Sequence, residues 1–314
     1  MSFNIQNEGI LSIQFASFIS GLFVTFQCLN LKSASRTNPR NLQIINKILA
    51  LGIFLVTTHL TEAYLSYYFL QKNFETFPEF VKKFTVFWKN YYTVTFSAFC
   101  ISIISECRKH IKNKTSKRIL GIANMNPIHC ILLPLPITTP IFTIPVIYNF
   151  ALGKYTMRMN YNKQLLASFI VNDFWVMLAS LFGSYAIVLI STDSFKSRNG
   201  NHISVSLKEK PESVLSKSEL EFEGSTDCDS ESESNNNSYL YTRKKILKKS
   251  DVFIIALCWM IVLMFTFTLP TLFKWSMAFG FKGFAPIIFS SFIPFMSEMK
   301  GILCLYALLC VPSY

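Results

Sequence analysis

The sequence predicts an all-α membrane protein, a seven-transmembrane helix bundle with its N-terminus outside and a long disordered third cytoplasmic loop. Three observations predict it. The 314 residues are 51% hydrophobic and include 31 Phe, and long apolar runs replace the alternating polar stretches of a soluble domain. The stretch KKILKKSDVFIIALCWMIVLMFTFTLP, Lys244 to Pro270, opens with four lysines in six residues and closes with nineteen residues free of formal charge, the length of a bilayer-crossing helix. Basic residues cluster on alternate connections between the apolar runs, which sets the orientation.

Seven apolar segments follow one another, at about Ile10 to Leu31, Ile44 to Leu70, Phe84 to Ser105, Ile119 to Phe150, Leu165 to Ile190, Val252 to Phe273 and Phe284 to Val311. The first lacks a basic region before it and is long enough to span, so it is expected to stay in the mature protein. The fourth holds Pro127, Pro134, Pro136, Pro140 and Pro145, which strains one straight helix; a short helix followed by an extended segment is the other reading. The seventh is interrupted at Ser297-Glu298-Met299-Lys300-Gly301. With the N-terminus outside, the cytoplasmic connections and their flanks carry 20 Lys and Arg against 9 on the outer side, and discounting the middle of the longest loop leaves 17 against 9. The glycosylation sequons at Asn113 and Asn236 both fall on the cytosolic side, where they stay unmodified.

The chain divides into residues 1–190 with the first five helices, a polar loop at 191–250, and residues 251–314 with the last two. The loop is rich in Ser, Asn, Lys and Glu and holds nine of the 18 acidic residues between Glu209 and Glu233. Such a segment buries too little apolar surface to fold, so it is expected to be disordered. Within it, Thr226 and Ser230 stand three residues before Asp229 and Glu233, a spacing that acidic-directed kinases favour; a solvated tether is the alternative. Seven of the eight Cys sit in or beside apolar runs and Cys228 lies in the loop, so no structural disulfide is expected. No CxxC or Cys/His spacing suggests a metal, and no cofactor is expected. The net charge of +12 sits at the ends of apolar segments, which points to membrane lipids as partners and away from nucleic acid. No nucleophile with a base and no phosphate loop marks an enzyme.

Several stretches carry a family resemblance. The lysine-rich foot of the sixth segment leads into Cys258-Trp259 deep in the apolar run. Gly21-Leu22-Phe23-Val24 is followed by the basic loop Ser35-Arg36-Thr37-Asn38-Pro39-Arg40-Asn41, then Asn46 and Ile48-Leu49-Ala50-Leu51. The third segment ends Ser105-Glu106-Cys107-Arg108-Lys109-His110, and the chain ends Cys310-Val311-Pro312-Ser313-Tyr314. This pattern resembles the rhodopsin-like G-protein-coupled receptors in topology over most of the chain and in motif over about three short stretches. The departures are specific. Ile261 replaces the proline that kinks helix six, Leu22 the helix-one Asn, and Leu51 or Gly52 the helix-two Asp, so the family's sodium site is not expected. Cys107 separates Glu106 from Arg108, Val311 replaces the Asn of the last motif, and no outer loop holds a Cys. Bitter-taste and nematode chemosensory receptors depart in similar ways. An opsin would place its lysine seven residues before the motif proline, whereas Lys300 stands twelve before Pro312.

Ionisable residues inside apolar segments are costly and mark either function or internal pairing. His59 and Glu62 share a helix face, Asp173 lies near the outer end of segment five, and Glu298 and Lys300 interrupt segment seven. An Asp173–Lys300 or Glu62–Lys300 pair is the structural expectation; Glu298 and Lys300, two apart, are expected to face different ways. The resemblance implies an outward-opening ligand pocket with Asn90, Tyr91, Thr93, Asp173, Trp175, Trp259 and Lys300, aromatic groups with a few polar handles. Tyr91 and its neighbours fit an interfacial aromatic belt equally well. At the inner face Glu106, Arg108, Lys109, Lys112, Lys244, Lys245 and Lys248 are expected to meet a G protein or anionic lipid. Glu106 with Arg108 suggests an ionic lock that opens on activation, or a generic snorkelling cluster.

The resulting expectation is a multi-pass plasma-membrane receptor that passes an extracellular small-molecule signal to a heterotrimeric G protein. The alternatives are a transporter or channel-like protein whose path is lined by Glu62, Asp173, Glu298 and Lys300, and a non-coupling receptor that serves as a scaffold.

Overall fold

The computed structural model describes residues 2–34, 39–71, 77–112, 125–149, 154–206, 249–279, 296 and 298–310. Three long helices come first: α1 (Ser2–Ala34), α2 (Pro39–Gln71) and α3 (Glu79–Lys112). Proline sits where each start tolerates it. Pro39 opens α2, where its missing N–H costs nothing, and the carbonyl of Pro78 accepts from the N–H groups of Val81 and Lys82 at the head of α3. Glu79 in the first turn of α3 complements the helix dipole.

The proline-rich fourth segment breaks up. It forms α4 (Pro127–Leu132), α5 (Pro134–Thr138) and a 3-10 turn at Thr139–Thr143, then strand β1 (Val146–Asn149) and strand β2 (Lys154–Met157). Pro127 and Pro134 open α4 and α5, Pro140 falls in the first turn of the 3-10 piece and Pro145 precedes β1, since a proline cannot donate to a preceding turn; Pro136 lies within the first turn of α5, where no N–H is needed. The strands pair antiparallel with Val146 opposite Met157 and Asn149 opposite Lys154, and Arg158 N–H closes the pair on the Pro145 carbonyl at 2.7 Å. This hairpin corrects the all-α expectation and bears out the reading of a short helix followed by extended chain.

The fifth segment is α6 (Tyr161–Ser168), a π turn at Phe169–Asp173, and α7 (Phe174–Ser206). The helix was expected to end near Ile190, with disorder from Ser191. It continues instead to Ser206, since no proline interrupts it before Pro211. Residues 207–248 of the expected loop lie outside the described residues. The sixth segment is α8 (Lys249–Leu263), a π turn at Met264–Thr268, and α9 (Leu269–Ala278). The irregular turn lies just before Pro270, the position that cannot donate an N–H to the carbonyl four residues back. Of the seventh segment, α10 (Lys300–Leu309) is described, and residues 284–295 lie outside.

Four helices are long and apolar enough to cross a membrane, Leu11–Ser33, Asn41–Leu65, Asn162–Thr192 and Asp251–Ser276. They match the first, second, fifth and sixth expected crossings and make this a helical membrane protein. The helix α3 is as long but more polar, and its position accounts for that. Every residue from Tyr91 to Ser97 is buried, so the middle of α3 presents no face to the surroundings. It packs against α2, α4, α5, α7 and α8. By contrast α1 turns Phe15, Phe23 and Phe26 outward, as a lipid-facing helix does. It packs on α2 and on α10, while α8 packs on α7 and α10. The shared core is built on Phe96, Phe99, Cys100, Ile103 and Ile104 of α3 and Trp259 of α8.

Candidate functional site

Among the described residues, the largest concentration of buried charge gathers four helices. Lys300 is the first residue of α10, and Gly301 beside it lets α10 lean backbone-to-backbone on α1; a Cβ at position 301 would overlap the carbonyl of Ser17. The Ser17 hydroxyl donates to the Glu298 carbonyl, fixing the same approach. Lys300 is thereby turned inward and fully buried. Its Nζ lies 3.1 Å and 3.3 Å from the two carboxylate oxygens of Glu62 on α2 and 3.7 Å from Glu298 Oε2. The ammonium also stands over the ring of Tyr92 on α3, 4.1 Å from its centroid, a cation–π contact.

Around this core, Gln14 on α1 donates its amide to Glu298 Oε2 at 3.3 Å, and His59, one turn before Glu62, brings Nδ1 to 3.5 Å from Glu62 Oε2. Neither ring nitrogen of His59 makes a hydrogen bond, and Gln14 Oε1 also lacks one. Two carboxylates therefore share one ammonium and an unsatisfied imidazole. The charge of Lys89 on α3 also bears on Glu298, and among the described residues the cluster is left with more acceptor atoms than donors.

Of the two pairings expected from sequence, Glu62–Lys300 forms and Asp173–Lys300 does not. The carboxylate of Asp173 instead accepts from Lys274 Nζ and, at 3.0 Å, from Trp275 Nε1 of α9, while Lys274 also donates to Ser168 Oγ. The expectation that Glu298 and Lys300 face different ways is also corrected. It assumed one continuous helix, whereas α10 begins at Lys300 after a turn at Met299, which frees Glu298 to fold back.

The other residues expected at a ligand pocket are not brought together with Lys300. Asn90 and Thr93 bond carbonyls of their own helix, at Val86 and Lys89. Tyr91 points to α4, where its hydroxyl donates to the Ile131 carbonyl at 3.0 Å, and stacks on Phe87. The indole of Trp175 donates to the Ile170 carbonyl in the π turn, and Trp259 is a core residue, 1% exposed. The sequence marks His59, Glu62 and Glu298 as ionisable groups outside the expected pocket and Tyr92 as part of an interfacial belt, where the structure buries it under Lys300; Gln14 had no place in either expectation. The available signal was the spacing of Gln14 and Ser17, three apart and so on one face of α1.

At the opposite end of α3, Glu106 takes Lys47 of α2 as its partner at 2.9 Å and Lys109 at 3.6 Å. Lys47 is 5% exposed, buried well below the helix end, and donates also to the Ser102 carbonyl at 3.2 Å. The suggested Glu106–Arg108 lock is thus a Glu106–Lys47 link, because Arg108 lies two positions round the helix from Glu106. His110 meets Asn41 Oδ1 at 2.9 Å. Lys112 closes α3. Lys244, Lys245, Lys248, Thr226 and Ser230 lie outside the described residues.

Set against known proteins, the chain matches no family model and no curated sequence.

Proposed function

We propose that the chain is a divergent rhodopsin-like receptor that crosses the plasma membrane seven times and couples an extracellular small molecule to a cytosolic G protein. The observation that carries this reading is the agreement of depth among helices of alternating direction. With the N-terminus outside, Gln14 and Ser17 fall in the outer part of α1 and His59 and Glu62 in the outer part of α2, and Lys300, at the start of α10, reaches them from the middle of the seventh segment. All of these meet in one cluster. Lys47 and Glu106, which pair with each other, both fall toward the inner ends of α2 and α3. One threading thus accounts for a polar outer cluster and a charged inner link. The central place of α3, packed by α2, α7 and α8 while α1 closes on α10, supports the same receptor arrangement.

In this reading a ligand at the outer cluster shifts α10 and α8 relative to α3, and the Lys47–Glu106 link at the inner end reports the shift to a G protein. The test is an N-terminal epitope tag read in intact cells, combined with G-protein recruitment across a library of small molecules. A tag seen only after permeabilisation, or no recruitment by any ligand together with no basal recruitment, overturns the proposal. The buried charges also suit a transport path. Substituting Lys300→Met and Asp173→Asn separates the two, since loss of solute flux marks a transporter and an altered ligand response alone marks a receptor.

A further inference from the structure

We infer that His59, Glu62 and Glu298 form a binding site for a divalent transition-metal ion, zinc by preference, for which the ammonium of Lys300 is a tethered competitor. This site does not depend on the receptor reading. One ring nitrogen and two carboxylate oxygens, one from each residue, lie within 4.8 Å of one another. On a zinc ion with bonds of about 2.1 Å, three such donors stand about 3.4 Å apart, so modest side-chain rotation closes the set. Two donors stand three apart on α2, and the third, Glu298, comes from the other side of the Met299 turn that precedes α10, so the set as a whole has no continuous spacing along the chain.

Three observations point to a bound cation rather than a self-contained ion pair. His59 is 1% exposed; its Nδ1 faces Glu62 Oε2 at 3.5 Å, too long for a good hydrogen bond, and among the described residues its Nε2 has no polar partner, an arrangement that costs stability unless a further group reaches the ring. Among the described residues two carboxylates face the one buried ammonium, with Lys89 bearing on Glu298 from farther off, so carboxylate oxygens remain to offer a cation. The ammonium also has a second resting place. It already lies over the Tyr92 ring, where it keeps a favourable contact when a metal takes the carboxylates. Access is from the carboxylate side, where the Glu62 and Glu298 side chains are 13% and 12% exposed while those of Lys300 and His59 are at 0%.

The donor set selects the ion. An imidazole nitrogen with carboxylate oxygens suits zinc and its neighbours, and it suits magnesium or calcium poorly, since these take oxygen ligands almost exclusively. Gln14, which holds Glu298 in place through its amide, is a positioning residue for the third donor.

The test is zinc titration of the purified full chain in lipid nanodiscs, followed by calorimetry and by thermal unfolding, with magnesium as the control. The wild-type chain is expected to bind zinc saturably and to ignore magnesium, His59→Gln to weaken zinc binding at least tenfold, and Lys300→Met to tighten it at least tenfold. Should Lys300→Met prove too unstable to purify, the wild-type and His59→Gln proteins decide the matter, because the Glu62–Lys300 pair stays intact in both. Absence of saturable zinc binding by the wild-type chain overturns the proposal, as does zinc binding indifferent to His59→Gln. Failure of Lys300→Met to tighten binding removes the competition between metal and ammonium.

Discussion

Lys300 and Glu62 stand 238 positions apart in the chain, yet the lysine Nζ lies 3.1 Å from the glutamate Oε2. That contact ties the start of α10 to α2, on which α1 also packs. Lys300 is wholly removed from solvent and Glu62 largely so, and Glu62 and Glu298 together make the buried ammonium tolerable.

Breaking that pair from one side strands a buried charge. Lys300→Met, which leaves two buried carboxylates without their ammonium, is expected to destabilise the protein by about 3–5 kcal/mol, Glu62→Gln, which leaves Lys300 with Glu298, by less, and the double variant by less than the sum of the two. Thermal or chemical unfolding in nanodiscs gives all four corners of the cycle. Additive losses would mean that the two side chains do not interact.

Gly301 is expected to tolerate no side chain. Gly301→Ala places a methyl group on the Ser17 carbonyl, and because the obstacle is backbone, α10 must move away from α1. The cost is about 1–3 kcal/mol, larger for Gly301→Val. Ser17→Ala, which removes only the hydroxyl bond to the Glu298 carbonyl, is expected to cost about 1 kcal/mol, and the same unfolding measurement ranks the variants.

At the inner end the partner of Glu106 is Lys47, so Lys47→Met and Arg108→Ala are expected to differ. If the receptor reading holds, Lys47→Met raises basal G-protein recruitment by releasing α2 from α3, while Arg108→Ala leaves the resting level near wild type. Recruitment measured without ligand distinguishes them. Equal effects would show that the Lys47–Glu106 link does not hold the resting state.

Trp259 fills the core where α8 meets α3, and it is among the largest fully buried side chains. Trp259→Ala is expected to cost about 3–5 kcal/mol through the cavity it leaves. Ile261, two residues on and 45% exposed, is expected to accept Ala at well under 1 kcal/mol in a lipid-like surround, where leaving water is not the driving force. Similar losses at both positions would contradict the packing of α8.

The first, second, fifth and sixth segments were legible because a lipid-facing helix must be apolar over a fixed length, a requirement written on each segment separately. The breaks in the fourth were legible from its prolines, although the β-hairpin that follows was not, since Val146–Asn149 and Lys154–Met157 acquire their meaning only by pairing. The site was half legible. Lys300, Glu62 and His59 stood out as charges in apolar runs, but the turn at Met299 that swings Glu298 back toward Lys300 depends on contacts with α1 that have no local signature. Asp173 was assigned to the wrong lysine for a similar reason. Its partner Lys274 lies beyond the π turn before Pro270, and that irregular turn alters which side chains face α6 and α7.

Because the middle of α3 is enclosed on every side, from Tyr91 through Ser97, it has no position at which variation comes free. Libraries that randomise those seven residues should return a flat profile of intolerance in place of the rhythm of three to four seen along outward-facing helices such as α1. Drift in this lineage is then channelled into the outer ring, and the enclosed rod becomes the fixed reference against which the other helices change.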